Sequence, residues 1–411
     1  MPSPVFRDFP DFDKLLRWSA QHPIQKPIPS NLHIHTPYSF SAFASIHEAV
    51  ALAREQDILV LGISDFNTTE GYEDFTEECL KAGVFPAYCM ETIGLSVEDQ
   101  GAGKRWNDPN NPGKIYFCGK GLRYPAQLSQ YARDTLLRLA SALEERMRLM
   151  ISKLNSHLEN SLSGIKLNYE HILNTMTEGT LRERHIAKAL QQAVAEAFPG
   201  NSERAEALAK LYGTKSLVDT IDDVALQNEL RSNLLKVGKT AYVEESPDAF
   251  LSLKEAKSLI LDMGGIPCYP VLASGELTEF ERNPESLCHE LLQNGIHCVE
   301  FIPTRNDIGL LRDYVSIFKK EGIIMVAGTE HNTPRMEPMI PACRDGVALD
   351  KALKETFWQG ARVIAAHQYL KSIGRTGYVD DQGNRTDEKI AKLESIGEAV
   401  IKYYLTNSNN S

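Results

Sequence analysis

Seven short apolar runs, each leading into polar residues, stand out along the chain. They are NLHIH (31–35), ILVLGISD (58–65), VFPAYCME (84–91), KIYFCG (114–119), GIPCYPVLAS (265–274), HCVEFIP (297–303) and IIMVAGTEH (323–331). Near-continuous apolar runs of this length are typical of parallel strands that are buried on both faces. Amphipathic segments such as SIHEAVALAREQ lie between them and predict helices. The alternation predicts an α/β fold built on a parallel barrel or an open sheet.

The pattern changes between the fourth and fifth runs. Residues 126–163 contain no glycine or proline and predict one or two long charged helices. A further helix is predicted to begin near Thr180, because Glu183 lies at the spacing of a capping box, and another to end near Gly238. We therefore predict a helical insertion over residues 125–250. Its charge pattern also fits a free arm, but we favour a layer over the barrel mouth, because the segment follows a strand end.

Composition narrows the class of protein. The 411 residues carry a formal net charge of −11, which argues against non-specific binding to nucleic acid, because that binding depends on lysine and arginine. The seven cysteines contain no Cys-x-x-Cys pair, so neither a disulfide framework nor a cysteine zinc site is predicted. The N-terminal residues lack the pattern of a signal peptide, and no apolar stretch is long enough to span a membrane. We expect a cytoplasmic protein with no membrane partner, and the oligomeric state stays open.

Polar side chains that can bind a metal follow several of the runs. They are His33, His35, Asp65, Glu91, Glu330, His331 and Asn332. His33 and His35 are two residues apart on one predicted strand, so their side chains share one face. In a parallel barrel the polar strand ends meet at one mouth. Imidazole and carboxylate together suit Zn, Mn or Fe, and the sequence therefore predicts a divalent metal site at this mouth.

The phrases around these residues resemble the PHP superfamily, the polymerase and histidinol phosphatase group of metal-dependent phosphoesterases. The resemblance rests on NLHIHTPYS, SIHEAVALAREQDILVLGISDFNTTEGYEDF, YCMETIG, IYFCGKG, GGIPCYPVLASG and VAGTEHNT. It is closest to a subgroup with an inserted helical domain, which contains a phrase similar to RERHIAKAL (182–190). The resemblance implies a distorted parallel (β/α)7 TIM-like barrel with a helical insertion. The predicted parts are an N-terminal extension (1–27), the barrel (28–124 and 251–405) and the insertion (125–250).

Members of the superfamily bind three metals, and the resemblance assigns the ligands of the first one completely. That set would be His33, His35, Glu91 and Glu330, with Glu330 at a position where relatives have aspartate. We therefore expect at least one divalent metal, Zn, Mn or Fe.

The ligand sets of the other two metals are incomplete in this chain. Tyr116 and Ser274 stand at two histidine positions of the second set. Asp65 is kept from the third set, but Phe66 and Asn332 stand where relatives have histidine. A phenyl ring cannot bind a metal, and phenol and hydroxyl groups bind it poorly unless they are deprotonated. We expect one bound metal rather than three.

The expected function is a metal-dependent hydrolase, and the resemblance favours a phosphoesterase that acts on a small phosphorylated substrate. Asp65 would serve as general base and His331 as general acid. Six further residues near strand ends could bind the substrate: Lys120, Arg123, Arg305, Arg335, Tyr116 and Asn332.

Two alternatives remain open from the sequence. The lost ligands fit a barrel that no longer catalyses a reaction and binds a ligand or a partner protein. They also fit a one-metal enzyme that acts on a sugar or a lactone, because a fold alone does not determine the reaction.

Overall fold

The barrel is built from seven strands in sequential order. The computed structural model describes residues 3–22, 26–273 and 277–408. The strands are β1 (Ser30–Ile34), β2 (Val60–Ile63), β3 (Phe85–Leu95), β4 (Lys114–Lys120), β5 (Ile266–Val271), β6 (Cys298–Phe301) and β7 (Ile324–Ala327). Each of the seven apolar runs contains or overlaps one of these strands, as their burial on both faces predicts.

The sheet is nearly closed into a barrel, and most of its pairs are parallel. β1 to β3 form one parallel group and β5 to β7 form another. Between β7 and β1, Glu330 pairs with Ile34, and the backbone N–H of His35 donates to the carbonyl of Glu330 at 2.7 Å. The predicted distorted α/β barrel is therefore confirmed. We use the term mouth for the end of the barrel at which β1, β2 and β7 finish.

One strand departs from the predicted parallel arrangement. β4 is antiparallel to both β3 and β5. Only residues 85–88 of β3 pair with β2, and the strand continues past the mouth to Leu95, where β4 begins beside it at Lys114. β4 therefore runs back into the barrel. Its C-terminal residue, Lys120, lies deep inside and not at the mouth.

Helices surround the barrel, and each begins in a polar or glycine-containing segment. They are α1 (Phe12–Ala20), α2 (Ile46–Glu55), α3 (Tyr72–Ala82), α4 (Val97–Gly101), α5 (Gln130–Ser161), α6 (Tyr169–Met176), α7 (Glu183–Ala197), α8 (Asn201–Tyr212), α9 (Asp223–Leu230), α10 (Leu253–Asp262), α11 (Pro284–Gln293), α12 (Ile308–Lys320), α13 (Lys351–Ser372) and α14 (Ile390–Asn407). Among the described residues, none of these helices is both long and apolar enough to cross a lipid bilayer.

Helices α5 to α9 lie between β4 and β5 and have a hydrophobic core of their own. This core extends from Met147 to Ala241, while the N-terminal part of α5 packs on the core of the barrel through Ala132 and Leu139. The charged stretch 126–163, predicted as one or two helices, contains the single helix α5 over most of its length. The division of the chain into three parts remains a prediction.

The helices between β4 and β5 contact the loop that follows β1. The backbone N–H of Glu178 donates to Pro37 O at 3.1 Å, and that of Thr180 donates to Tyr38 O at 3.0 Å. Thr180 does not cap α7, because its hydroxyl also donates to Tyr38 O. The helix begins at Glu183, with Arg182 as the N-cap residue. This contact places Arg182 beside the barrel mouth.

Candidate metal centre

Three buried side chains meet inside the mouth of the barrel. The Nε2 atoms of His33 and His35 lie 3.1 Å apart, and Oε2 of Glu91 lies 3.6 Å from the first and 3.1 Å from the second. His33 and His35 end β1 on one face, as the alternation of side chains along a strand requires. Glu91 belongs to the part of β3 that pairs with β4. The three groups could together hold a metal ion.

Neighbouring groups fix the orientation of both imidazole rings. Nδ1 of His33 lies 2.7 Å from Oε2 of Glu300, and Nδ1 of His35 lies 3.2 Å from the hydroxyl of Ser39. A carboxylate accepts the Nδ1–H of His33, and the Ser39 hydroxyl donates its own proton to Asp65, so it accepts from His35. Each ring therefore directs an Nε2 lone pair towards Glu91. Such outer hydrogen bonds are what orient histidine ligands in metal sites.

Three acceptor atoms that face one another require a cation between them. Oε2 of Glu91 is buried and accepts no hydrogen bond, although both imidazoles are close to it. A tetrahedral site with bonds of about 2.0–2.2 Å separates its ligand atoms by about 3.3–3.6 Å. One distance in the triad, 3.6 Å, is in this range, and the other two, both 3.1 Å, are slightly shorter. The donor set, two imidazole nitrogens and one carboxylate oxygen, suits Zn, Mn or Fe. The residues present fit a divalent metal.

The pKa values of His33 and Glu91 indicate that a positive charge lies between the members of the triad. Burial lowers the pKa of His33, but Glu300 more than offsets this effect and raises the pKa to about 9. Burial raises the pKa of Glu91, and the two imidazoles outweigh it and lower the pKa to about 2. Without a metal, His33 therefore carries a proton at neutral pH, and a metal ion would take the place of that proton.

Glu300 and Lys120 form an ion pair in the interior of the barrel below the triad. Both side chains are fully buried, and Nζ of Lys120 lies 2.7 Å from Oε1 of Glu300. The ammonium also donates to Leu32 O at 2.9 Å and to Ser64 Oγ at 3.3 Å. Lys120 was predicted to bind substrate, but its three donors are all used inside the barrel. Glu300 was not predicted as a site residue; its signal in the sequence is a single charged residue inside the apolar strand CVEF.

Asp65 lies behind His35 and is held by the loop after β1. Its carboxylate accepts hydrogen bonds from the backbone N–H of Thr36 at 2.8 Å, from the Thr36 hydroxyl at 2.5 Å and from the Ser39 hydroxyl at 2.5 Å. Burial raises its pKa even though these donors act in the opposite direction. Both oxygens of Asp65 are therefore occupied in this structure. Its role as general base remains a prediction.

Glu330 lies beside the triad, but Arg305 holds its carboxylate. The ion pair joins Nη2 of Arg305 to Oε2 of Glu330. Glu330 and His331 both have positive φ angles, 64° and 55°, which are uncommon for residues other than glycine and cost about 1–3 kcal/mol each. The backbone of Glu330 bonds to His33 and His35 on both sides, which stabilises this conformation. The role of Glu330 as a fourth ligand remains a prediction.

The other residues predicted after β7 lie farther from the triad. Both ring nitrogens of His331 are engaged, Nδ1 with Thr329 Oγ1 at 2.9 Å and Nε2 with Glu337 O at 2.8 Å. Its ring also stacks on Phe43. Arg335 is exposed and pairs with Glu337. Asn332 is half-buried. His331 therefore has no free ring nitrogen in this structure, and its role as general acid remains a prediction.

The residues at the incomplete metal positions form an aromatic side of the mouth. Phe66 stacks on the ring of His35, with centroids 4.9 Å apart and planes at 23°, and it contacts Tyr116 at 6.4 Å. Burial raises the pKa of the half-buried Tyr116, so its phenol stays neutral. Ser274 lies outside the described residues. The phenyl ring of Phe66 therefore fills space next to His35 where the resemblance implies an imidazole.

Arg123 lies at the opposite end of the barrel from the triad. Its guanidinium donates to Asp262 O at 3.1 Å, and its side chain packs against Gly264, just before β5 begins. The reason is the direction of β4, because residues that follow an antiparallel strand emerge at the far end. The predicted contact of Arg123 with substrate at the mouth has no support in this geometry.

Comparisons with known proteins agree with the fold and with the position of the triad. Residues 31–215 match the family model of the PHP domain. No curated protein matches the chain.

Two solved structures are similar to this chain, and the fold argument rests on the first of them. A proposed metal-dependent phosphoesterase from Bifidobacterium adolescentis has 16% identity and a TM-score of 0.52, and the match covers 82% of this chain and 96% of that one. An amidohydrolase from Chromobacterium violaceum, solved with bound sulfate and no metal, has 14% identity and a TM-score of 0.49, over 77% of this chain and 93% of that one. The predicted resemblance is confirmed: residues 31–215 match the PHP domain, and the three residues of the triad lie within this matched part of the chain.

Proposed function

We propose that this protein is a metal-dependent hydrolase that cleaves a small phosphate ester with one divalent metal. The observation that carries the proposal is the triad of His33, His35 and Glu91, whose three ligand atoms face one another and need a cation between them. The PHP domain supports it, and so does the fold shared with a proposed metal-dependent phosphoesterase. The formal net charge of −11 argues against a nucleic-acid backbone as the substrate and favours a small molecule.

The triad would hold the metal, and the surrounding residues would keep it in place. A bound divalent ion would supply a Lewis acid for the ester oxygen and would lower the pKa of a coordinated water. Glu300 and Ser39 hold the two imidazoles in the tautomer that presents Nε2. We propose that Asp65 acts mainly through Ser39 as part of this support. Arg305 neutralises Glu330 at the edge of the site, where either partner could meet the substrate.

The first test measures metal content and hydrolysis in the same preparation. We expect about one divalent ion per chain by elemental analysis, because the second possible ligand group among the described residues, His33, Cys118 and Glu300, shares His33 with the triad. With Mn, Zn or Fe restored after chelation, we expect hydrolysis of phosphate esters such as p-nitrophenyl phosphate. A panel of lactones and sugars serves as the matched alternative. Metal binding with no phosphate-ester hydrolysis but with lactone or sugar turnover would replace the proposed substrate class, and no metal binding would contradict the proposal.

A second prediction concerns the number of metals. Changing Phe66 to His together with Asn332 to His should raise the metal content above that of the wild type, because it adds imidazoles at two positions that the resemblance assigns to the third metal. Phe66→Leu is the control, since it removes the ring and adds no ligand. Unchanged metal content in the folded double variant would show that these two positions do not face a common metal.

A further inference from the structure

Arg182 is a cationic side chain that the helices carry to the barrel mouth. Its guanidinium lies over the ring of Phe66, with Cζ 4.6 Å from the ring centroid, and Nη2 donates to Phe66 O at 3.1 Å. The same ring of Phe66 stacks on His35. One aromatic ring therefore contacts both the guanidinium and a member of the triad.

The Nε–H of Arg182 is buried and has no hydrogen-bond partner. A buried donor without a partner costs folding free energy, and the cost is larger on a charged group. The unpaired Nε–H therefore suggests that an acceptor from a bound ligand occupies this position. Burial lowers the pKa of Arg182 to about 10, and the nearby carboxylates of Asp65 and Glu91 limit the fall. The guanidinium stays charged at neutral pH, and Asp65 and Glu91 are the carboxylates that act on it most.

The other cations considered for substrate binding already have anionic partners or lie elsewhere. Lys120 pairs with Glu300, Arg305 pairs with Glu330 and Arg335 pairs with Glu337. Arg123 lies at the far end of the barrel. Arg182 differs from the three paired cations because no ion pair with a carboxylate is found for it within the described residues, and it differs from Arg123 because it contacts Phe66 at the mouth.

Asn67, the residue after Phe66, has an unpaired acceptor in its side chain. Its Oδ1 atom is buried and has no partner, while its backbone N–H donates to Glu91 O at 2.8 Å. Asn67 has a positive φ of 54°, a conformation that asparagine adopts more readily than most residues. The residue is thus fixed to the triad by its backbone and leaves its side-chain oxygen available to an O–H or N–H group.

We propose that Arg182 and Asn67 form a substrate subsite that binds an anionic oxygen at the guanidinium and a neighbouring hydroxyl or amino group at the amide oxygen. The inference rests on the proposed function and specifies its substrate class: an anionic ester that carries a hydrogen-bond donor close to the anion. A guanidinium suits this task, because its planar donors match the oxygens of phosphate. The subsite joins the helices to the barrel, so neither part would bind the substrate fully by itself.

The test compares Arg182→Met with Arg148→Met in the metal-loaded protein. Arg148 is the matched control, because its guanidinium also lies over an aromatic ring, that of Tyr169, but pairs with Glu144 and Glu170 on the surface of the helices. Inorganic phosphate is the probe, and its affinity is measured by calorimetry. We expect at least a tenfold loss for Arg182→Met and an affinity close to that of the wild type for Arg148→Met. Arg182→Lys should recover only part of the loss, because it keeps the charge and loses the planar donors.

Separate measurements distinguish the subsite from the proposed function. Arg182→Met should keep the metal affinity of the wild type and raise KM for a phosphate ester more than it lowers kcat. Asn67→Ala, which does not disturb the guanidinium, should raise KM for a hydroxyl-bearing ester and leave that for p-nitrophenyl phosphate unchanged. Phosphate affinity of Arg182→Met equal to that of the wild type, or no phosphate binding by the wild type, would overturn the subsite. If the metal-loaded wild type does not hydrolyse phosphate esters, the proposed function itself is wrong.

Discussion

Lys120→Met is expected to destabilise the protein by about 3–5 kcal/mol, the usual cost of removing one partner from a buried ion pair. The substitution leaves the carboxylate of Glu300 in a fully buried position with only His33 and Cys118 beside it. It also leaves Leu32 O without the donor that it has in the wild type. Urea denaturation, followed by circular dichroism, measures the free energy of unfolding.

The double variant Lys120→Met/Glu300→Gln separates charge from packing. With both charges removed, most of the lost stability should return, because replacing a whole buried pair is often neutral. Lys81→Met provides an exposed control, since the pair of Lys81 with Glu78 is at the surface and should change stability far less. A Lys120→Met protein as stable as the wild type would show that Glu300 is protonated in the native state and that the ion pair is not formed.

The same double variant tests whether the pair orients the metal ligand. Gln at position 300 is a weaker acceptor for the Nδ1–H of His33, so the ring should hold its orientation less firmly. Loss of such an outer partner typically lowers metal affinity about 10–100-fold. We therefore expect a stable double variant with weakened metal binding, a combination that a purely structural role would not produce.

The strands and the triad could be predicted from the sequence because their signals are local. A buried strand shows as an apolar run, and His33, His35 and Glu91 stand within or at the end of such runs. The direction of β4 could not be predicted in this way, because an apolar run reads the same in parallel and antiparallel pairing. That one difference moves Lys120 into the core and Arg123 to the far end of the barrel.

Two residues that the structure brings to the site carried weak signals in the sequence. Glu300 is the one charged residue of the four-residue strand β6. In the sequence alone, a buried charge of this kind cannot be told from a charge on the surface. Arg182 is distant from the barrel in sequence and reaches Phe66 only because Glu178 and Thr180 bind the loop after β1. Contacts between a helical segment and a barrel depend on tertiary packing and leave no periodic pattern.

Glu91→Gln is expected to abolish metal binding under conditions that saturate the wild type. The amide is neutral and a poor ligand, and it leaves two imidazoles as the remaining members of the triad. We expect a loss of more than about 100-fold in affinity, which exceeds the cost of changing an outer partner. Calorimetry with Zn or Mn after chelation measures it, and elemental analysis of the purified variant gives an independent value.

Glu330→Gln and Glu281→Gln are the comparisons for this prediction. Glu330 lies beside the triad with its carboxylate held by Arg305, so its replacement should weaken metal binding much less than Glu91→Gln. Glu281 is a buried carboxylate that accepts the backbone N–H groups of Leu272 and Ala273. Its replacement should leave metal affinity unchanged. Equal losses for Glu330 and Glu91 would make Glu330 a true fourth ligand.

Metal uptake by the wild type should release about one proton below pH 9, because His33 must lose its proton before Nε2 can bind the ion. Burial lowers the pKa of His33, but Glu300 outweighs this effect and raises the pKa to about 9, so the ring is protonated in the metal-free protein at neutral pH. Competition with this proton weakens metal binding about tenfold for each pH unit below 9, and the dependence ends above it. Calorimetry in two buffers that differ in ionisation enthalpy counts the released proton. Metal uptake without proton release at pH 7 would contradict this prediction, because it would show that His33 is already neutral in the metal-free protein.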